Sequence, residues 1–327
     1  MEAHIYLHPA NFAYNGSDDL ASVQNKFHAL LSDMKKIVYS PPYNQENKFV
    51  VQKNMHEVKV FAKKDLYTFM EENISVDDKT VFWTILSNTA DGIHGNALTI
   101  EELSAKCVYY MDEEHPTTMM IVNALPAIGE CQQRQYMQFD NYQIVYGYNS
   151  WQTFRRQILG NHPGSDANKF MEECNRYFPN LSFHPNCVSS LNDGSYNYLE
   201  TCPRKIVYYL SALNDDYFNV HKQHHQNGGN VQPNDILVDF SGMCGLEEPG
   251  SIHANPATKD RRTFVFVIGE EKVERTILCD LHLKISLPDD RYNRAVGKDF
   301  NPRIYFNIEM IDENHAGIYV GSIGKHL

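Results

Sequence analysis

The sequence predicts an α+β fold in which a mixed region of helices and strands precedes a C-terminal antiparallel β-sheet. The first observation is a change of hydrophobic period: apolar residues recur at helical spacing in several segments of the first 230 residues, and they alternate with period two from Asp235 onward. The second is composition, since 42% hydrophobic and 12% aromatic residues suffice for a substantial core. The C-terminal strand candidates are 235–240, 263–269, 275–286, 302–309 and 317–323.

The N-terminal elements follow from local spacing. A first strand is predicted at 4–12, and an amphipathic helix at 19–37 carries its apolar face on Leu20, Val23, Phe27, Leu30, Leu31 and Met34. Further along we expect a strand pair within 47–62, a helix from Asp65, a helix opened by the capping box Thr99–Glu102, and β-structure within 117–148.

Three short helices then lead to a proposed domain boundary. One starts near Ser150, the next carries Phe170 through Phe178, and the third begins at Pro203, a residue that suits a first helical turn. The segment His221–Asn230 is polar and ends in glycines, which predicts a loop. We therefore divide the chain at this loop into the regions 1–230 and 231–327.

Composition narrows the class of protein. No run reaches the roughly 18 apolar residues that a membrane span requires, and the first residues do not resemble a signal peptide. The seven cysteines are odd in number and form no C-x-x-C pair, which favours reduced thiols over a disulfide framework or a thiolate metal site. We expect a cytoplasmic protein without a membrane partner, and its oligomeric state is not indicated.

The charge is unevenly distributed. The formal net charge is −12, so bulk attraction to nucleic acid is not expected. Residues 261–327 nevertheless hold 10 basic and 10 acidic residues, so the whole −12 lies in residues 1–260. This asymmetry predicts that region 1–230 is an acidic regulatory or partner-binding region.

Basic and histidine side chains cluster on the predicted C-terminal strands. His282 and Lys284 alternate with leucines and share one strand face, and Arg303 and Tyr305 do the same on the next strand. His326 follows the last strand. If these strands pair, the five side chains meet and suit metal-free phosphodiester cleavage, in which a base removes the 2′-hydroxyl proton, cations stabilise the phosphate charge and an acid protonates the leaving oxygen.

The order H-x-K, R-I-Y-F and a last strand followed by G-K-H resembles the RelE/ParE/YoeB superfamily of bacterial toxins over about 65 residues. The resemblance implies an antiparallel sheet and, for many members, metal-free mRNA cleavage. His282 and Lys284 then match the basic strand, Arg303 the phosphate-binding arginine and His326 the terminal catalytic residue, with Tyr305 beside them. Region 231–327 would be the toxin- or nuclease-like domain, RNA the substrate and an antitoxin-like protein a regulator.

Two other function classes remain open in the sequence. The chain can be a non-catalytic interaction subunit of a bacterial multiprotein defence system, whose sheet is only structural. It can also be a metal-dependent nuclease using Glu274 and Asp280 beside Lys284, although the pattern requires a second carboxylate where His282 stands. His221 and His225, at helical i, i+4 spacing, are a further metal-ligand candidate. The leading hypothesis, an endoribonuclease effector, needs no cofactor and no metal.

Overall fold

The computed structural model divides the chain into two compact units, Met1–Phe154 and Arg155–Leu327. It describes residues 2–7, 19–39, 47–51, 55–87, 118–123, 147–192, 196–226, 232–268, 272–287, 301–312 and 315–327. The helix predicted from the capping box at Thr99 and most of the β-structure predicted within 117–148 lie outside these residues. The α+β class is confirmed, with antiparallel strands toward the C-terminus.

Unit 1 combines a small parallel sheet with helices. Strand β1 (Glu2–Leu7) lies between β2 (Asn47–Val51) and β5 (Thr118–Asn123) and is parallel to both, and β3 (Lys59–Phe61) pairs with β4 (Lys64–Asp65). The helices are α1 (Leu20–Tyr39), α2 (Leu66–Asn73) and α3 (Val76–Ser87). The predicted apolar face of α1 is buried from Val23 to Met34.

Helix α4 (Gly147–Asn161) spans the division, and the helices of unit 2 follow it. They are α5 (Ala167–Tyr177), α6 (Asn186–Leu191), α7 (Tyr198–Thr201), α8 (Pro203–Ala212), α9 (Phe218–Gln226) and α10 (Pro233–Met243), with a π-helical turn at Leu213–Tyr217. No helix in the described residues is long and apolar enough to cross a lipid bilayer.

A five-stranded sheet forms the centre of unit 2. Its strands, and those of a separate hairpin, are β6 (Leu181–Phe183), β7 (Ser251–Ile252), β8 (Thr263–Ile268), β9 (Val273–Leu278), β10 (Leu281–Lys284), β11 (Arg303–Met310) and β12 (Ala316–Gly324). The sheet order is β6-β12-β11-β10-β7, and among the strands that the structure describes β8 pairs only with β9. Strand β6 is parallel to β12, and the other neighbours are antiparallel.

The structure places the division of the chain earlier than the sequence suggested. Buried residues between Leu159 and Val220 share one hydrophobic core with the sheet, in which Leu210 of α8 and Leu237 of α10 are buried together with Leu283 and Phe306. The contacts therefore divide the chain after Phe154, whereas the polar glycine-containing segment near residue 230 suggested a boundary there.

Three local predictions were wrong in whole or in part. The strand expected at 235–240 is part of helix α10, which begins at Pro233 and buries Ile236, Leu237 and Phe240, a helical spacing within a short apolar run. The loop expected from His221 is helical as far as Gln226. The strand expected at 275–286 is interrupted at Cys279 and Asp280, and its two parts belong to different sheets.

Gly324, at the end of β12, is expected to tolerate no side chain. A Cβ there would overlap the backbone carbonyl of Ser190 in α6, and backbone cannot move aside as a flexible side chain can. Gly324→Ala should therefore lower the free energy of unfolding by about 1–3 kcal/mol, measured by urea denaturation. Gly242→Ala is the matched control, because a Cβ on this helical glycine meets nothing within 4 Å and should be neutral or slightly stabilising. Equal losses in both variants would contradict the prediction.

Candidate functional site

The strand register brings four of the five predicted site residues onto one face of the sheet. His282 of β10 lies directly opposite Tyr305 of β11, and Lys284 lies directly opposite Arg303. Tyr305 in turn lies opposite Ser322 of β12. Directly opposite residues on antiparallel strands have their Cβ atoms about 4.5–5.5 Å apart, so these side chains are immediate neighbours.

His326 joins the group through a histidine that the sequence analysis did not identify. His253 follows β7, and its ring stacks on that of His326 with centroids 4.8 Å apart and planes at 20°. The His253 ring also lies 6.0 Å from the rings of both His282 and Tyr305. The structure therefore assembles three histidines, Tyr305, Arg303 and Lys284 in one cluster, which we name the histidine cluster.

A buried arginine fixes the position of His253. Arg262 is 2% exposed and donates to the backbone carbonyls of His253 at 2.6 Å, Asn255 at 2.7 Å and Thr258 at 3.4 Å. The backbone N–H of His253 donates to the carbonyl of Asp280 at 2.7 Å. These bonds hold the segment after β7 against the end of β10, so the imidazole of His253 is presented to the sheet face.

Tyr305 is the centre of the hydrogen bonds in the cluster. Its hydroxyl lies 3.3 Å from Nδ1 of His253, 3.2 Å from the backbone nitrogen of Leu327 and 3.4 Å from Nη1 of Arg303. On the neighbouring strand, Nε2 of His282 lies 3.1 Å from the hydroxyl of Ser251. Nδ1 of His282 and Oγ of Ser322 are buried with no hydrogen-bond partner among the described residues, which leaves polar atoms on both sides of Tyr305 that an ordered water can satisfy.

Burial separates the cluster into two layers. Tyr305 is fully buried, His282 is 3% exposed and His253 is 9% exposed. Lys284, Arg303 and His326 are half-buried. Lys284, Arg303 and His326 are therefore the members of the cluster that solvent reaches most.

The electrostatics of the cluster keep its buried histidines neutral. The pKa of His282 is lowered from 6.5 to about 3, mainly by burial and then by the nearby charges of Arg303, Lys284 and His253. Burial, Arg262 and Arg303 likewise lower the pKa of His253. The pKa of Tyr305 is raised, mainly by burial. At neutral pH the buried layer therefore carries no charge of its own.

The β8–β9 hairpin covers part of the same sheet face. Phe264, Phe266 and Ile277 pack against Tyr305 and Tyr319. Gly321 permits this approach, because a Cβ there would overlap the ring of Phe264. Gly321 is also the extra residue of an irregularity in the β11–β12 pairing, between the pairs at Tyr305 and Phe306. The hairpin limits the accessible part of the histidine cluster to the end of the sheet near Lys284 and His326.

The described residues do not provide a metal centre. They contain no group of three or more His, Cys, Asp or Glu side chains able to hold a metal ion. The rings of His221 and His225 lie close together, with centroids 4.4 Å apart and planes tilted by 48°, while His224 pairs with Asp239 at 3.0 Å. Glu274, the acid of the metal-nuclease hypothesis, is exposed on the separate β8–β9 hairpin.

Comparison with protein-family models, curated proteins and solved structures finds no match. The function of the histidine cluster therefore has to be inferred from its own geometry.

Proposed function

We propose that the chain is a metal-independent endoribonuclease of the toxin or defence-effector type and that the histidine cluster is its active site. The observation that carries the proposal is the juxtaposition of two half-buried cations, Lys284 and Arg303, with the stacked pair His253 and His326. A site that combines cationic side chains with imidazoles suits a phosphodiester, whose negative charge grows in the transition state.

The two layers of the cluster give its members different roles. His326, at the accessible end, accepts the proton of the RNA 2′-hydroxyl, and the freed oxygen attacks the adjacent phosphorus. Arg303 and Lys284 stabilise the charge that develops on the phosphate oxygens. The 5′ oxygen leaves with a proton supplied from the solvent side, and the products are a 2′,3′-cyclic phosphate and a 5′-hydroxyl. Tyr305 and His282, being buried, hold the other groups in place.

The remainder of the chain belongs to the same proposal. The negative charge outside residues 261–327 repels RNA, so the acidic region predicted at residues 1–230, of which unit 1 is the part outside the unit that contains the five-stranded sheet, restrains substrate access or receives a basic, antitoxin-like protein partner. The protein acts in the cytoplasm, where its substrate is found.

A second function is favoured by one specific observation. The outer side of the β8–β9 hairpin exposes Val265 and Val267 at 48% and 61%, whereas Val273 lies opposite Ile268 on the other face. Exposed apolar side chains on one face of a hairpin are typical of surfaces that bind other proteins. These residues support a non-catalytic interaction subunit, in which the histidine cluster is only a buried polar network.

One assay separates the candidates. The purified full-length chain is incubated with single-stranded RNA and with DNA, each with and without EDTA. Cleavage of RNA alone, unaffected by EDTA and ending in cyclic phosphate, is the expected result. Cleavage abolished by EDTA would support a metal-dependent nuclease instead, and intact substrates under all conditions would support the interaction subunit.

Arg303→Ala is expected to lower RNA cleavage by about a hundredfold or more, because a guanidinium directed at the phosphate contributes mainly in the transition state. The stability loss should be modest, about 1 kcal/mol, since Arg303 is half-buried at the first position of β11. His326→Ala should behave in the same way, because this residue lies beyond the last strand. Rates and melting temperatures are measured together.

Arg261→Ala is the matched control for this prediction. Arg261 is exposed, so its removal takes away the same charge and should leave both cleavage and melting temperature nearly unchanged. A large fall in melting temperature for Arg303→Ala would instead make Arg303 a structural residue of the sheet. If Arg261→Ala lost as much cleavage as Arg303→Ala, the effect would come from the change in net charge and not from the position of Arg303.

A further inference from the structure

The hydrogen bonds at Tyr305 determine where its proton lies. A phenol oxygen carries one proton and accepts at two lone pairs. The backbone nitrogen of Leu327 and the guanidinium of Arg303 can only donate, and both contact the Tyr305 oxygen, at 3.2 and 3.4 Å. The proton of Tyr305 is therefore directed at the third neighbour, Nδ1 of His253, 3.3 Å away.

This direction fixes the tautomer of His253. A neutral imidazole that accepts at Nδ1 carries its own proton on Nε2. Nε2 lies 3.1 Å from the hydroxyl of Thr258, which in turn donates to the carbonyl of Asn255. Every donor in this chain has an acceptor, so the arrangement is self-consistent from Tyr305 through His253 to Asn255.

The charged groups around His253 also favour its neutral form. The guanidinium of Arg262 donates to the backbone carbonyl of His253, and the guanidinium of Arg303 approaches the His253 ring from β11. The remaining titratable neighbours with adjacent rings are His282 on β10, Tyr305 on β11 and His326 beyond β12. Two guanidinium groups disfavour a second proton on the ring, which would also have no acceptor at Nδ1.

We infer that His253 is a positioning residue of the histidine cluster: it accepts the Tyr305 hydroxyl proton at Nδ1, stays neutral with its proton on Nε2, and offers its ring face as the platform on which His326 packs. Hydrogen bonds at both ring nitrogens and the Arg262 contact at the carbonyl prevent the ring from turning. The orientation of His326 at the accessible end of the site thus depends on a residue that does not itself touch substrate. The catalytic consequence rests on the proposed function, whereas the tautomer and the ring contact do not.

Histidine NMR of the full chain tests the tautomer directly. Protein labelled with ¹⁵N-histidine at pH 7 should show His253, assigned by its disappearance in His253→Asn, as a neutral ring with the proton on Nε2. Tyr305→Phe removes the donor at Nδ1 and should move the Nδ1 resonance toward that of an unbonded nitrogen. A wild-type His253 that is charged, or protonated at Nδ1, would overturn the inference.

Two substitutions separate the ring contact from the hydrogen bond. His253→Phe keeps a ring under His326 and removes the acceptor, whereas His253→Asn keeps an acceptor near the position of Nδ1 and removes the ring. The ring-current shift of the His326 Hε1 proton should persist in His253→Phe and disappear in His253→Asn. Cleavage should fall about tenfold or more in kcat for His253→Asn, with KM little changed, because a small displacement of a reacting group is costly. It should fall by a smaller factor in His253→Phe, which keeps the ring contact and loses the hydrogen bonds that fix the ring.

The outcomes distinguish the two levels of the proposal. If the NMR results are as expected but the wild-type chain cleaves no RNA, the proposed function fails and the structural role of His253 stands. If the wild-type chain cleaves RNA and His253→Asn cleaves as fast, the positioning role is overturned. Equal loss of the His326 shift in both variants would also overturn it, since the ring contact would then not be what holds His326.

Discussion

Arg262→Ala is expected to lower the free energy of unfolding by about 3 kcal/mol or more. The guanidinium is 2% exposed and bonds to the carbonyls of His253, Asn255 and Thr258. Hydrogen bonds to a charged donor contribute about 1.5–3 kcal/mol each, and a buried carbonyl that loses its donor also bears a desolvation cost. The segment that carries His253 would lose its attachment. Urea denaturation of the variant and the wild type measures the loss.

Arg261→Ala serves as the control here as well, since the adjacent side chain is exposed and its removal should change stability by about 0.5 kcal/mol or less. Arg262→Lys should fall between the two, because one ammonium cannot reproduce the planar fork that bonds to three carbonyls. If Arg262→Ala unfolded no more readily than Arg261→Ala, the contacts of Arg262 would be dispensable and the position of His253 would need another explanation.

The residues that meet on β10 and β11 could be predicted because alternation alone decides which side chains share a strand face. The leucines beside His282 and the apolar neighbours of Tyr305 require one buried face, and the polar set must then take the other. The pairing of His282 with Tyr305 and of Lys284 with Arg303 could not be predicted, because the connection between the strands is long and carries no turn signal that fixes the register.

His253 could not be predicted because it lies in a turn without hydrophobic period, and its role comes from three distant contacts. They are the carbonyl of Asp280, the guanidinium of Arg262 and the hydroxyl of Tyr305. The only local signal was the Asn255-Pro256 turn that follows it, which identifies the turn and says nothing of the side chain. The role of Arg262 could not be predicted either, because two adjacent arginines are typical of a solvated surface.

The errors in segmentation have one physical cause, which is that local pattern does not reveal which elements pack together. A polar segment ending in glycines has the composition of a linker, yet α9 before it and α10 after it contribute Val220 and Leu237 to the same core. Strict alternation begins only at Cys279, and the consecutive apolar residues Ile277, Leu278 and Cys279 do not show where one strand ends and the next begins, so the change of sheet at Cys279 and Asp280 could not be located from the period. The toxin-like function stays a proposal for a similar reason, since a few residues on alternating strands do not specify a reaction.

Acid is expected to destabilise the protein through His282. Its pKa is about 3 in the folded chain against 6.5 for an ordinary histidine, so between these values the unfolded chain binds a proton that the folded chain does not. Stability therefore falls as the pH is lowered through this window, by about 1.4 kcal/mol per pH unit well inside it. By pH 4.5 the loss from this one residue should reach about 2–3 kcal/mol, while above pH 7 it contributes no pH dependence.

His282→Gln isolates this effect, because glutamine has a similar length, retains a polar group near Ser251 and does not titrate. Carboxylates, and His221 with its lowered pKa of about 4, titrate in the same range, but they do so in both proteins and cancel in the difference. Urea denaturation of both proteins at several pH values from 7 to 4.5 should therefore show a shallower loss of stability in His282→Gln, and the two curves should converge as the pH falls. Parallel curves would mean that His282 is protonated in the folded chain, with a solvent path or a counter-charge that its buried position between Ser251 and Tyr305 does not show.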